Sequence, residues 1–260
     1  LYKQSDIDAI HRIVSFLDKG VSIGQVGKFL DEKPAGKPVG NKSGARDQWA
    51  EFRDAMAQAI ALFDEDRLED SYNTALSVYP TSLVTEKVLM PLLSELGIRW
   101  QQDKGSVAEE HFFGVYLRNK LGARFHHRGR VHSGPKLLAA CLPGEYHEVG
   151  LFLFALAAHE KGFRPVLLGA NMPLADLAQA ARRSGSQAIV LSGSIDGDPQ
   201  VMAEQLPRLV KEVRVPVMVG GQASVRSRDA IVSAGATPLG THFDSALRRI
   251  EEQLGLHTKV

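Results

Sequence analysis

The 260-residue sequence contains a single cysteine, Cys141, and no apolar run that approaches the roughly 20 residues needed to span a membrane. One cysteine excludes an internal disulfide and is typical of proteins in a reducing cytoplasm. The N-terminus also lacks the charged and then apolar pattern of a secretion signal. We therefore expect a cytoplasmic protein with no membrane partner. Because apolar residues flank Cys141, we expect its thiol to lie in the core.

Motifs for common phosphate-bearing cofactors are missing as well. No Gly-x-Gly-x-x-Gly follows the first predicted strand, which argues against a nicotinamide or flavin dinucleotide. There is no P-loop. The net charge of +1 argues neither for nor against a nucleic-acid partner.

The N-terminal segment contains two short helical patterns followed by a linker. Ser5 is an expected helix N-cap, Gly20 ends the first helix, and Ser22 begins the second. Residues 34–44 are rich in Pro, Gly and Lys, which is the composition of a linker. The chain begins with Leu1 and not with Met, so we expect its natural N-terminus to lie upstream.

Residues 45–128 show four amphipathic helical patterns joined by short connections, which predicts a four-helix bundle. The second helix is expected at Glu65–Val78, and the fourth at Val107–Leu121. The connection between the third and fourth helices places Trp100 before Glu110 and His111. The indole of Trp100 could cover a ligand as a flat lid, and Glu110 and His111 could form hydrogen bonds with a polar ligand.

From residue 135 to residue 256, predicted strands and helices alternate, which indicates an α/β fold with a doubly wound parallel sheet of the flavodoxin kind. Strands are expected at 136–142, 165–168, 187–192, 215–219 and 236–239. Helices are expected at 148–161, 173–184, 199–212, 224–234 and 243–254.

The turn after the first predicted strand contains Glu145-x-His147-x-x-Gly150. Open α/β sheets bind ligands at the carboxyl ends of their strands, where this turn lies. The imidazole of His147 can bind a metal while Glu145 holds its other ring nitrogen. Gly150 would let a large ligand approach the backbone. Small residues at other strand ends, among them Ser192, Ser194, Gly220 and Gly221, predict a deep cleft lined by backbone.

Together these motifs resemble the cobalamin-binding signature of methionine synthase and the cobalamin mutases, which reads Asp-x-His-x-x-Gly, Ser-x-Leu and Gly-Gly. Glu145 and Ser194 depart from that pattern, since Asp and Leu are usual there. Trp100-x9-Glu110-His111 resembles the marker of the helical cap in light-sensing MerR-type regulators of the CarH/LitR group. Residues 1–33 resemble the second half of a MerR-type winged-helix domain, whose recognition helix would precede Leu1.

The resemblance implies an adenosylcobalamin protein in which His147 is the lower cobalt ligand, in keeping with cobalt's preference for nitrogen. It also implies that Ser192, Gly220 and Gly221 line the slot for the displaced nucleotide tail. On the other face, Trp100 would shield the adenosyl group, and Glu110 would accept hydrogen bonds from its hydroxyls, with His111 in the same cap network.

For function, the resemblance implies a transcription regulator, not an enzyme, that binds operator DNA through its incomplete N-terminal domain. Such regulators assemble in the dark, commonly as tetramers, and dissociate when light breaks the cobalt–carbon bond. Two alternatives stay open: a corrinoid carrier for methyl transfer, and a related sensor for another tetrapyrrole. Members of the group carry a His after the marker Trp that ligates cobalt after illumination. Gln101 occupies that position here, so we expect water to take the place of that histidine as the ligand after illumination, with His111 as the alternative.

Overall fold

A computed structural model of the chain describes residues 48–101, 106–127, 129 and 133–256, and six helical residues near the N-terminus, 8–9, 12–13 and 15–16. Apart from those six, the predicted DNA-binding segment and linker lie outside the described residues. The chain divides into two compact units, Leu1–Tyr116 and Leu117–Val260. Among the described helices, none combines the length and the apolar character that a membrane crossing requires.

Residues 48–101 and 106–116 of the first unit are mainly helical, as predicted, and the last helix extends into the second unit. The second helix has the predicted bounds, whereas the last helix continues six residues beyond its predicted end at Leu121. Leu121 is buried and Arg124 forms an ion pair with Glu160 at 3.7 Å, contacts that sequence periodicity does not reveal. The helical segments are α1 (Gln48–Ala61), α2 (Glu65–Val78), α3 (Thr81–Val84), a π-helical turn (Thr85–Leu89), α4 (Met90–Gln101) and α5 (Val107–His127).

A proline explains the π-helical turn before α4. The ring of Pro91 would clash with the carbonyl four residues earlier in a regular α-helix, that of Lys87. The backbone widens instead, so that the N–H of Met90 donates to the carbonyl of Thr85, five residues back. The guanidinium of Arg53 donates to the released Lys87 carbonyl at 2.8 Å. The third helix therefore continues past the proline towards Trp100.

The second unit contains five parallel strands in the order β2-β1-β3-β4-β5, which is the predicted flavodoxin-like order. Each strand lies within two residues of its predicted bounds. Two predicted helices are divided: 199–212 into a π-helical turn and α8, and 224–234 into α9 and α10. The elements are β1 (Lys136–Cys141), α6 (Val149–Glu160), β2 (Arg164–Gly169), α7 (Leu174–Ser184), β3 (Ala188–Ser192), the π-helical turn (Val201–Gln205), α8 (Leu206–Glu212), β4 (Val217–Gly220), α9 (Gln222–Arg226), α10 (Arg228–Ser233), β5 (Thr237–Gly240) and α11 (Phe243–Gln253).

Alternating strand residues bury both faces of this sheet. Leu138 of β1 packs in a cluster with residues of α7, α8 and α10. Its neighbour Leu137 packs on the other face with residues of α6 and α11. Burial on both faces explains why the strands read as continuous apolar runs, as is usual for parallel sheets.

The register aligns the carboxyl ends of four strands in one row. Cys141 of β1 pairs with Ser192 of β3, Ser192 with Gly220 of β4, and Gly220 with Gly240 of β5. The loops that follow these residues therefore leave the sheet at one edge. That edge carries the predicted ligand-binding residues of the second unit.

Candidate functional site

A tight turn directs the chain from β1 to the predicted metal ligand. The N–H of Glu145 donates to the carbonyl of Leu142 at 3.0 Å, and Pro143 and Gly144 occupy the two central positions. Gly144 has φ of 79°, the conformation that a type II turn requires at its third residue. The turn returns Glu145 to the interior, where it is 1% exposed.

The carboxylate of Glu145 is the polar centre of the site. Its Oε1 accepts hydrogen bonds from the backbone N–H of His147 at 2.8 Å and from His147 Nδ1 at 2.6 Å. Its Oε2 accepts from the backbone N–H and the hydroxyl of Ser194, the latter at 2.7 Å, and from the N–H of Ile195 at 3.2 Å. One buried carboxylate thus joins the loops after β1 and β3.

These hydrogen bonds determine the charge of Glu145 and the tautomer of His147. Burial by itself would raise the pKa of Glu145, but the hydrogen bonds from His147 and Ser194 outweigh it and lower the pKa to about 2. An ionised Glu145 accepts a hydrogen bond from Nδ1–H of a neutral imidazole, so the proton stays on Nδ1. The lone pair then resides on Nε2, the atom that such a histidine offers to a metal.

The two departures from the cobalamin-binding signature contact each other. Glu145 stands where Asp is usual and Ser194 where Leu is usual, and the Ser194 hydroxyl donates directly to the Glu145 carboxylate. Ser194 Oγ also lies 3.2 Å from His147 Nδ1. A hydroxyl at position 194 therefore supports the longer acid at position 145, and the histidine keeps its carboxylate partner.

Sequence reasoning missed Asn171, in the loop after β2, as a residue that shapes the site. Its backbone N–H donates to the Glu145 carbonyl at 2.8 Å, and its side-chain oxygen accepts from the N–H of Gly144 at 2.8 Å. Its side-chain nitrogen donates to the hydroxyl of Tyr146 at 3.1 Å. Asn171 has φ of 48°, a left-handed conformation in which Asn is enriched. That preference is the one sequence signal that singles it out.

The glycines at this edge of the sheet differ in whether the packing of the fold requires them. A Cβ on Gly221, which has φ of 83°, would lie 2.3 Å from the carbonyl oxygen of Gly193. Close packing of the loops after β3 and β4 thus requires Gly221. A Cβ on Gly220 would meet its nearest atoms at 3.9 Å, and one on Gly150 would meet nothing within 4 Å. The fold therefore does not require glycine at positions 150 and 220, and the missing side chains leave space at this edge of the sheet.

This difference predicts opposite outcomes for two alanine variants. Gly221→Ala is expected to lower the free energy of unfolding by about 3 kcal/mol, because it combines a backbone clash with a left-handed φ. Gly220→Ala is expected to change the unfolding midpoint little and to weaken binding of a ligand at this edge. Thermal unfolding and ligand titration of both variants measure the two effects. Equal unfolding midpoints for the two variants would contradict the distinction.

Cys141 is a core residue, as predicted. Its side chain is fully buried, and burial, with the nearby carboxylates of Glu145 and Glu148 adding to it, raises its pKa to about 12. A thiol that stays protonated at neutral pH is a poor metal ligand and a poor nucleophile.

The cap residues of the predicted marker lie on two helices of the first unit. Trp100 is in the last turn of α4, where the structure describes its backbone only. Glu110 and His111 lie in the first two turns of α5, whose start is fixed by Ser106, since its hydroxyl accepts from the N–H of Glu109 at 3.1 Å. Glu110 is partly buried and His111 is exposed. The structure thus places Trp100 in one helix and Glu110 and His111 in the next.

The chemistry of the donor set suits a metal that carries its own macrocycle. His147 offers one imidazole nitrogen, with its tautomer fixed by Glu145. One nitrogen fills a single coordination position, which matches a cobalt whose four equatorial positions belong to a corrin ring. The side chain of His147 is 53% exposed, and a Cβ on Gly150 would meet no atom within 4 Å, so neither residue is covered by the described protein atoms. The residues present therefore fit the cofactor that the resemblance implies.

Comparison with known families agrees with this arrangement. A family model described as a B12 binding domain matches residues 52–124, within the helical part of the chain. A second family model, also described as a B12 binding domain, matches residues 135–242. The second match includes the loops that carry Glu145, His147 and Ser194.

Two characterised relatives from Myxococcus xanthus cover most of the chain. One is the HTH-type transcriptional repressor CarH, 30% identical in an alignment of 239 residues that covers 88% of this chain and 79% of the relative. The other is the HTH-type transcriptional repressor CarA, 25% identical over 91% of this chain and 78% of the relative. Among solved structures, the monomethylamine corrinoid protein of Methanosarcina barkeri has a TM-score of 0.63 at 19% identity, covering 78% of this chain and 98% of that protein. That likeness concerns the fold.

Proposed function

Because the chain belongs to the family of CarH-type cobalamin-binding transcription regulators, we propose that it senses light through adenosylcobalamin and regulates transcription accordingly. In this proposal it acts in the cytoplasm on operator DNA and is not an enzyme. The two relatives named as HTH-type transcriptional repressors support a DNA partner. The observation that carries the cofactor assignment is the hydrogen-bonded Glu145–His147 pair at the carboxyl edge of the sheet.

His147 would hold the cofactor from below through Nε2. A bound adenosylcobalamin would supply a cobalt–carbon bond that light breaks. Glu145 keeps the imidazole in the tautomer that binds metal, and Ser194 keeps Glu145 ionised and in place. Carboxylate partners of this kind orient a ligating histidine and raise its basicity.

The remaining predicted residues would contact the periphery of the cofactor. Ser192 and Gly220, which are paired at the ends of β3 and β4, would line the entrance of the nucleotide tail. Gly150 would admit the ring close to the start of α6, since a Cβ there would meet open space. Gly221 would contribute by maintaining the loop next to that entrance.

The helical part of the chain would cover the upper face, with Trp100 over the adenosyl group and Glu110 and His111 in the cap network. The order of these residues along the chain supports the assignment, since Trp100 lies in the last turn of α4 and Glu110 and His111 lie near the start of α5.

The corrinoid-carrier alternative uses the same fold, and a fold by itself decides no function. What separates the two functions is a response to light. A regulator of this family is expected to change its assembly on illumination, whereas a methyl carrier has no such requirement.

We expect the protein loaded with adenosylcobalamin to form a larger oligomer in the dark, a tetramer by the resemblance, and to dissociate after green light. Light scattering coupled to size-exclusion chromatography measures the mass in each condition. Protein loaded with hydroxocobalamin, which has no cobalt–carbon bond to break, is the control and should not respond. An identical mass for the adenosylcobalamin complex before and after illumination would contradict the light-sensing proposal.

A further inference from the structure

An exposed aromatic ring stands beside the predicted metal ligand. Tyr146 precedes His147 and is 69% exposed, although its hydroxyl is held by the side-chain nitrogen of Asn171 at 3.1 Å. His147 itself is half exposed, with its side chain 53% accessible. Ordered and exposed aromatic surface next to a metal ligand is typical of a binding site, because aromatic side chains contribute contact area at low cost in conformational entropy.

Other apolar side chains flank the same edge. Ile195, whose N–H donates to Glu145, is 46% exposed in the loop after β3. Leu168, one residue from the end of β2, is 37% exposed. In the strand order, β1 lies between β2 and β3. Exposed apolar side chains thus lie near the carboxyl ends of both strands that neighbour β1.

Asn171 fixes the ring and the ligand loop together. It hydrogen-bonds to three consecutive residues of that loop, Gly144, Glu145 and Tyr146. Its backbone φ of 48° lies in the left-handed region, which few residues other than glycine adopt. A clamp of this kind holds the loop in its binding conformation before a ligand arrives, which increases affinity by reducing the ordering cost.

From this arrangement we propose that Tyr146 is a contact surface for the flat, apolar face of a metal-bearing macrocycle, and that Asn171 is the positioning residue that holds it there. The inference rests on the proposed function, since the macrocycle is the corrin of cobalamin. It adds a second point of contact beside the single bond from His147. The phenol ring of Tyr146 would then contact the macrocycle, while the imidazole of His147 binds its metal.

The test is a dark titration of the purified chain with adenosylcobalamin, followed by absorbance, together with thermal unfolding of the cofactor-free protein. Tyr146→Ala is expected to bind about 10-fold more weakly, with an unchanged unfolding midpoint because the ring is exposed. Val232→Ala, which removes an exposed apolar side chain on α10, is the control and should bind normally. A lower unfolding midpoint for Tyr146→Ala would instead assign the ring a structural role and overturn the proposal.

A double-mutant cycle tests the part played by Asn171. Tyr146→Phe keeps the ring and removes the hydroxyl, whereas Asn171→Gly allows the left-handed backbone and removes the whole side chain, including the donor to Tyr146. Tyr146→Phe is expected to weaken binding about 3-fold in the unsubstituted chain and no further in Asn171→Gly, since the hydrogen bond is already absent there. Additive losses would overturn the positioning role of Asn171.

The outcomes also separate this inference from the proposed function. If the unsubstituted chain does not bind adenosylcobalamin, the proposed function fails and the inference fails with it. If the unsubstituted chain binds and Tyr146→Ala binds equally well, only the inference fails.

Discussion

Replacing Glu145 with Gln is expected to lower the free energy of unfolding by about 3 kcal/mol near neutral pH. The carboxylate accepts five hydrogen bonds, from two donors each of His147 and Ser194 and one of Ile195, and is almost fully buried. A Gln side chain has the same shape but turns one of the two acceptor atoms into a donor. At least one buried N–H then loses its partner, and the charge-assisted bonds become neutral ones.

The same residue makes a specific prediction for pH. The pKa of Glu145 is lowered from 4.5 to about 2 in the folded chain, so the unfolded chain binds its proton more readily. The stabilisation is therefore complete above pH 4.5 and is lost as the pH falls towards about 2. Glu145→Gln lacks this titration. As the pH falls from 4.5 to about 2, the difference in the free energy of unfolding between the unsubstituted chain and the variant should therefore become smaller.

Urea denaturation at about pH 7 and about pH 3.5 measures both effects. Glu148→Gln is the matched control, because it makes the same change three residues away, at a carboxylate that lies 3.5 Å from the exposed Arg118. An ion pair of that kind contributes at most about 1 kcal/mol. If the two variants lose similar stability, or if the loss at Glu145 does not depend on pH, the assigned role of its carboxylate is wrong.

The fold was predictable because its signals are local. Five apolar runs separated by helical patterns specify a parallel sheet, and its order follows the usual rules for such alternation. Two departures from the prediction have a residue-specific cause. Pro91 widens the backbone just before α4, and the contacts of Leu121 and Arg124 extend α5 beyond the predicted end.

The site was only partly predictable, because its geometry depends on contacts between loops. The motif identified His147 with Glu145, and the structure confirms their hydrogen bond. No sequence pattern shows that Ser194 supports Glu145 from 49 residues away, or that Asn171 clamps the turn. Those contacts arise only when parallel strands bring their carboxyl ends to one edge.

Replacing His147 with Ala is expected to weaken cobalamin binding by at least 10-fold. Mutating a residue that only hydrogen-bonds to a metal ligand already lowers metal affinity by about that factor. His242→Ala is the matched control, because His242 is another exposed histidine, at the end of the loop after β5 on the same edge of the sheet. It is expected to bind as tightly as the unsubstituted chain. Dark titration with adenosylcobalamin compares the three proteins.

The most direct test of the central claim is electron paramagnetic resonance of the Co(II) form of cobalamin bound to protein labelled with nitrogen-15 at histidine. If the imidazole of His147 is the lower ligand, the label changes the superhyperfine splitting of the cobalt signal, because the coordinated nitrogen now belongs to the protein. The change should be present in the unsubstituted chain and in His242→Ala, and absent in His147→Ala. A splitting that does not respond to the histidine label in the unsubstituted chain would contradict the account.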